Sequence, residues 1–175
     1  MRFVDVRNEI VYRLEQHIGC PVILSEQIAE QPEYPYCYYS VLAPRISGHA
    51  FGLRELVTDN DIQLVQRSEP VAATMSFTFC SMNQEIEGSY IYGEDEALEL
   101  AEKAYGFFLL NAHNISTANG DIVINNVGAV ANRSDFIVEE TIRRYGFDVR
   151  LSFVRTDEMQ TTVINREIPR GNTNK

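Results

Sequence analysis

"EPVAATMSFTFCSMN", residues 69–83, is the stretch of the chain that decides its fold. Threonine or serine separates most of its alternating apolar residues. The apolar residues at every second position are Val71, Ala73, Met75, Phe77 and Phe79. Successive side chains of a strand point to opposite faces of a sheet, so this pattern predicts a long central strand with one core face.

Further strands are predicted later in the chain. "RRYGFDVRLSFVR", residues 143–155, alternates in the same way, with apolar residues on one parity: Phe147, Val149, Leu151 and Phe153. "DIVINNVGAV" after Gly120 and the short "PVIL" after Cys20 also favour strands. We predict a turn in the segment that begins "TDEMQ" and a last strand in "TTVINREI", residues 161–168.

Two segments have helical periodicity instead. Apolar residues recur every three or four positions between Phe3 and Ile18, and Gly19 suits the C-terminal cap of a helix there. "EDEALELAEKAYGFFLL" predicts a second helix to about Asn111, with acidic residues in its first turn, where they oppose the helix dipole favourably. Leu98, Ala101, Tyr105, Phe108 and Leu109 are its expected apolar positions.

These elements predict an α+β fold, with a mostly antiparallel sheet and two main helices packed on one face. We expect one domain over residues 1–168 and a disordered tail over residues 169–175. Between residues 44 and 67, glycines and "TDND" interrupt short apolar pieces. This stretch predicts a hairpin or protruding arm that reaches a neighbour.

Composition narrows the function classes. The formal net charge of −10 argues against a protein that grips DNA through its phosphates, because that mode needs concentrated lysine and arginine. No run approaches the roughly 20 apolar residues that a membrane helix requires. The charged Arg2, Asp5 and Arg7 do not fit a signal peptide, so we expect a cytosolic protein without membrane contact.

The sequence contains none of the common catalytic or ligand-binding motifs. It lacks GxGxxG, GxxxxGK[ST] and GxSxG, and its histidines and cysteines are widely spaced: His17, His49, His113, Cys20, Cys37 and Cys80. The acids of "GEDEALE" open a helix, which explains them without a metal. We therefore predict no catalytic residue, no cofactor and no metal site.

Subunit contacts are the remaining candidates. "EYPYCYYSVL", residues 33–42, predicts a strand whose phenol edges reach a partner, with Tyr36 and Tyr38 as candidates. A nucleic-acid stacking surface is disfavoured because no lysine or arginine lies between Arg13 and Arg45.

The arm and the late strand add five more candidates. In the arm, Phe51, Leu53 and Leu56 are the expected apolar anchors. Arg143 and Arg144 either pair with acids of a neighbour, such as those of "GEDE", or are ordinary surface arginines.

The chain resembles the tail terminator and neck proteins of tailed bacteriophages, in particular the neck terminator family. Three stretches carry this resemblance: the N-terminal helix with its following short strand, "QPEYPYCYYSVL", and "RRYGFDVRLSFVR". The resemblance implies a small α+β structural protein of the virion tail or neck, assembled in the host cytoplasm and without enzymatic activity.

The resemblance also implies partners. Members of the family form hexameric rings that cap the tail tube and join it to the head. The implied partners are other copies of the chain, the tail tube protein, a head-completion or connector protein and, if the tail contracts, the sheath protein. DNA would only pass through the lumen, whose acidity would keep it from sticking. A head-closure stopper, another tail-completion protein, and a small ligand-binding or enzymatic domain are the alternatives.

Overall fold

The computed structural model describes residues 1–48, 51–59, 62–86, 88–113, 115–134 and 142–160. The helices of this part of the chain are α1 (Phe3–Ile18) and α2 (Gly93–Leu110). Its strands are β1 (Val22–Leu24), β2 (Tyr36–Ser47), β3 (Leu53–Asp59), β4 (Ile62–Met82), β5 (Gln84–Ile86), β6 (Ser89–Ile91), β7 (Ile115–Thr117), β8 (Gly120–Val127), β9 (Ala131–Asn132) and β10 (Ile142–Gln160).

Eight of these strands form one sheet in the order β1-β2-β4-β10-β8-β7, with β3 beside β4 and β9 beside β10. Among the described strands of this sheet, only β1 and β2 pair in parallel. The predicted α+β class with a mostly antiparallel sheet is confirmed. β4 and β10 form its centre, pairing from Ile142↔Met82 to Gln160↔Leu64 without a register shift.

Both helices lie on one face of the sheet, as predicted. The five alternating apolar residues of "EPVAATMSFTFCSMN", Val71 to Phe79, are buried, as are the four alternating residues of β10. Phe77 packs on Phe108 of α2 with ring centroids 5.2 Å apart, and Phe153 packs on Phe3 of α1 at 6.4 Å. Each such buried side chain contributes about 1.5–3 kcal/mol, so this face holds the main core.

The helix boundaries follow their sequence signals. α1 ends at Ile18 and is capped by Gly19, whose φ of 82° lies in the region that favours glycine and whose N–H donates to the Glu15 carbonyl. α2 ends one residue before the expected Asn111. Its C-terminal turn buries Phe107, whereas Leu109 is exposed, so the prediction that Leu109 faces the core is wrong.

Gly93 allows α2 to begin directly against the end of β4. A Cβ atom at this position would lie 2.5 Å from the backbone carbonyl carbon of Met82, too close for any side chain. The Gly93 N–H donates to the Asn83 side chain at 2.9 Å, which satisfies one of the free amides at the helix start.

The structure corrects two predictions about connections. The turn predicted in "TDEMQ" is wrong, because residues 156–160 continue β10 by pairing with residues 64–68 of β4. The glycines at positions 88 and 93 predict a turn leading into α2, but the stretch between β4 and α2 also contains the β5–β6 ribbon. The predicted strand at residues 161–168 and the tail at residues 169–175 lie outside the described residues, so the domain bounds stay a prediction.

Beyond the helices, the sheet continues as a three-stranded extension that we call the β-arm. It consists of β3, residues 62–68 of β4 and residues 154–160 of β10. Pro70 lies where β4 changes its partner from β3 to β2, a place where a strand tolerates the missing amide N–H. The hairpin of β3 and β4 therefore falls within the region where the sequence predicts an arm.

Candidate assembly surfaces

The β-arm is the most exposed part of the described sheet. None of the side chains that the structure describes in residues 53–58, 63–68 and 154–160 is buried. Leu53, Leu56 and Met159 are 63%, 64% and 66% exposed, and Phe51, just before β3, is 80% exposed. Clustered apolar exposure of this kind marks an interaction surface more often than a solvated face.

Charged side chains mark the boundary between the core and the β-arm. Glu69 is buried and paired with both Arg45 and Arg67. Arg67 also lies 3.3 Å from Asp157, which accepts a hydrogen bond of 2.9 Å from Arg155. Arg67 and Glu69 on β4, and Arg155 and Asp157 on β10, lie at every second position from Val71 and Phe153, so their side chains lie on the same face of the sheet. Ion pairs replace apolar packing on this part of the face, and we call them the ion-pair ladder. The ladder satisfies the one buried carboxylate of this region.

Leu56, Val65 and Met159 lie beyond this ladder on the same face of the arm. Leu56 and Met159 are the direct cross-strand neighbours of Val65 on its two sides. Leu53 lies on the opposite face, opposite Ser68. The three predicted anchors are therefore all exposed, but they do not share one surface. Leu56 lies on one face of the arm, Leu53 lies on the other, and Phe51 lies just before β3.

The predicted tyrosine contacts are placed differently. Tyr36 is only 7% exposed, its ring centroid lies 5.2 Å from that of Tyr34, and burial raises the pKa of its hydroxyl. Tyr38 is half-buried. Both line a shallow cleft of about 270 Å³ formed with Leu24 and Gln27. Tyr36 therefore packs mainly within its own chain, whereas Tyr38 offers part of its side chain to a partner.

The predicted arginine contacts lie at the other end of β10. Arg143 and Arg144 are half-buried and pair across the ladder with Ser81 and Cys80. The next residue, Tyr145, donates a hydrogen bond of 3.0 Å to Glu94. The segments "RRYGF" and "GEDE", considered for pairing between subunits, are thus already neighbours within one chain.

The three thiols are poor nucleophiles. Cys20, Cys37 and Cys80 are all buried and free. Burial raises the pKa of Cys20 and of Cys80 to about 11, and it raises the pKa of Cys37 well above its usual value. Thiols that stay protonated at neutral pH do not attack substrates or bind metals readily.

The histidines do not join the thiols in a site. His17 packs against the ring of Phe107 at 5.3 Å, His113 is exposed, and His49 lies outside the described residues. In the part of the chain that the structure describes, no three His, Cys, Asp or Glu side chains are grouped to hold a metal ion. None of the described helices is long and apolar enough to cross a membrane.

The sheet face opposite the helices carries a polar clamp that sequence reasoning missed. Arg133 donates to Ser76 at 2.6 Å, to Thr78 at 3.0 Å and to Asp148 at 2.8 Å, and Ser76 also donates to Asp148. Gly146 lies beneath it, where a Cβ atom would be 2.3 Å from the Phe77 carbonyl oxygen. The clamp holds residues 131–134 against β4 and β10.

The clamp predicts a pH-dependent contribution to stability. Partial burial raises the pKa of Asp148, but the hydrogen bonds from Ser76 and Arg133 and the charge of Arg133 outweigh burial and lower it below 3.8. We expect Asp148→Asn to cost about 1 kcal/mol of unfolding free energy at pH 7, because a charged acceptor is lost at a half-exposed site. A depressed folded pKa stabilises the fold above the unfolded pKa, and this stabilisation disappears as the pH falls through the folded pKa.

Urea unfolding of wild type and Asp148→Asn checks this expectation. The difference between the two proteins should be constant from pH 7 to pH 5 and should shrink below about pH 4. Glu85→Gln, at an exposed carboxyl on the ribbon, is the control, with an expected effect within about 0.5 kcal/mol. A difference at pH 3 as large as at pH 7 would contradict the assignment.

Taken together, the fold and its surfaces define a class of protein. The chain is a small α+β protein with exposed apolar side chains on a sheet extension, among other places, and such an extension suits assembly with other proteins. Comparison with known families agrees: a family described as phage neck terminator protein matches residues 8–173, and the chain belongs to this family. The resemblance seen in the sequence is therefore confirmed. A search of curated proteins found no match.

Family membership gives the coarse role. The chain is a structural protein of the phage neck and hence a virion component, and it interacts with other virion proteins.

Proposed function

We propose that the chain forms a hexameric ring that caps the tail tube and joins it to the head, without catalysing a reaction. Other copies of the chain, the tail tube protein and a head-completion or connector protein are its partners, and the sheath protein is a further one if the tail contracts. Assembly takes place in the host cytoplasm. Membership in the phage neck terminator family supports this role.

The exposed β-arm is the observation that carries the proposal. Its strands continue the central strands of the sheet, but neither helix covers Leu53 and Leu56 of the arm or Phe51 just before it. Burying such side chains against a partner contributes about 1.5–3 kcal/mol each. A head-to-tail contact repeated by rotation closes into a ring, and the arm provides the reach to the next subunit.

Charge is compatible with DNA passing through such a ring. The chain has a formal net charge of −10, and a surface with this balance does not neutralise phosphates. DNA would move through the lumen without being held, as the role of a terminator requires.

The direct test is the solution mass of the purified chain by light scattering, with and without isolated tail tubes, followed by negative-stain imaging. We expect six-membered rings, either free or at tube ends. Heads that carry a portal but no tail are the matched comparison. Binding to such heads and not to tubes would favour a head-closure stopper, and a monomer indifferent to both would remove the proposal.

A further inference from the structure

The two edges of the β-arm differ from the other edges of the sheet. The sheet ends at β1 and at β7, which have only three residues each. Short edges are a common protection against unwanted strand pairing. In contrast, β3 offers a seven-residue outer edge, and residues 155–160 of β10 offer another on the opposite side of the arm.

The outer edge of β10 is free from residue 155 onward in the described part of the chain. β8 pairs with β10 only between Val149 and Phe153, and β9 pairs only at Tyr145 and Gly146. At Val154 the carbonyl oxygen accepts a hydrogen bond from the amino group of Met1 at 3.2 Å. Residues 155–160 pair with β4 on their inner side and with no described strand on the outer side.

The backbone groups that point outward from this edge can be identified. The carbonyl oxygens of Arg144, Asp148 and Val154 all accept hydrogen bonds from the side away from β4. Backbone groups alternate along a strand, so the even-numbered residues direct their N–H and C=O groups outward. Thr156, Glu158 and Gln160 therefore direct their N–H and C=O groups to this outer edge, where no described strand pairs with them.

The two edges fit each other when they come from different copies. β3 and β10 both run antiparallel to β4, so they run in the same direction, and rotation about an axis along the strands preserves that direction. Arg54 and Asp157 both lie opposite Arg67, and Leu56 and Met159 both lie opposite Val65. If neighbouring copies are not shifted relative to each other along the strands, Asp157 of one copy lies beside Arg54 of the next, and Met159 lies beside Leu56.

This pairing also relieves an unfavourable contact of the single chain. Arg54 lies directly opposite Arg67, and like charges at such positions repel each other. Asp157, which pairs with Arg67 inside the chain, would place a second carboxylate oxygen beside Arg54 of the next copy.

We propose that residues 156–160 of one copy pair in parallel with residues 53–57 of β3 in the next copy, so that the β-arms join into one continuous sheet around the ring. The occupant of the edge is a second copy of this chain, and the inference rests on the ring proposed above.

Cysteine cross-linking tests the register. Leu56→Cys and Met159→Cys place thiols two strands apart within one chain, about 9–10 Å between Cα atoms, which is beyond disulfide reach. The double variant should give a ladder of disulfide-linked oligomers up to the closed ring, and each single variant should give none. The pair Leu53→Cys with Met159→Cys is the matched control, because Leu53 lies on the other face.

A proline substitution tests the edge independently. Glu158→Pro removes an outward N–H but no backbone hydrogen bond to β4, and the hydrogen bond that the Gln66 side chain donates to Glu158 is lost equally in Glu158→Ala. Glu158→Pro should therefore abolish ring formation while circular dichroism and Tm stay close to wild type. Glu158→Ala, which keeps the N–H, should still form rings.

The outcomes separate this inference from the proposed function. Rings that persist in Glu158→Pro, together with no ladder in the Leu56/Met159 cysteine pair, would overturn edge pairing and leave the terminator role standing. Dimers from either single cysteine variant would indicate a symmetric contact and would also overturn it. If Glu158→Pro fails to fold, the presence or absence of disulfide-linked oligomers in the Leu56/Met159 cysteine pair decides whether the edges pair. Wild-type protein that forms no ring, even on tail tubes, would end both proposals.

Discussion

Replacing Phe77 with alanine is expected to lower the free energy of unfolding by about 3–5 kcal/mol, because it removes a fully buried ring from the centre of the core. Phe77 lies on β4 and contacts Phe108 and Phe147 with ring centroids 5.2 Å and 6.4 Å away, as well as Tyr39 at 6.2 Å. These contacts join α2 to three neighbouring strands. Urea unfolding monitored by circular dichroism measures the loss.

Tyr90 provides the matched control for this substitution. It is an aromatic residue of the same chain, but it is 71% exposed on the β5–β6 ribbon. Tyr90→Ala should change stability by no more than about 0.5 kcal/mol. If Phe77→Ala cost less than about 1 kcal/mol, the surrounding side chains would have to collapse into the vacated space, contrary to a tightly packed core.

The double substitution of Leu53 and Leu56 by aspartate is expected to abolish assembly while leaving the fold intact. Both side chains are more than 60% exposed, so the isolated chain loses little when they change. In the proposed interface they are buried, and losing about 1.5–3 kcal/mol for each weakens every contact by at least about 100-fold. Light scattering and negative-stain images of tube ends measure the effect.

A control variant shows whether any exposed apolar residue would behave in this way. Ile28 is fully exposed and lies in the loop between β1 and β2. Ile28→Asp should assemble as wild type does. The interface assignment would be wrong if the Leu53/Leu56 variant still formed rings, or if it had a Tm more than a few degrees below wild type.

The core of the fold could be predicted because its signals are local. From Val71 to Phe79 a buried apolar residue falls at every second position, and α1 repeats apolar residues at helical spacing up to a glycine cap. Each pattern shows which side chains turn inward without any knowledge of the partner element. The fold class followed from these stretches, and α1 is also one of the three stretches that carry the family resemblance.

Other features depend on residues far apart in sequence, and local patterns do not indicate them. "TDEMQ" is polar and suggests a turn, yet residues 64–68, about ninety positions earlier, hold it in β10. Arg133 reaches Ser76 and Asp148 across two strands, and nothing in the neighbouring sequence distinguishes it from other arginines. The exposure of Leu56 likewise depends on where the helices end, and Tyr36 is buried on the other face of the sheet, opposite Cys80.

The uninterrupted pairing of β4 with β10 has a mechanical consequence. The two strands pass from the helix-covered sheet into the β-arm through nineteen consecutive residue pairs, about 60 Å of ladder, without a bulge or a loop that would act as a joint. The arm therefore cannot swing as a separate body, and a load applied to it is carried in shear along the strands into the core. Subunits linked through such arms would make a stiff collar that transmits strain between neighbours.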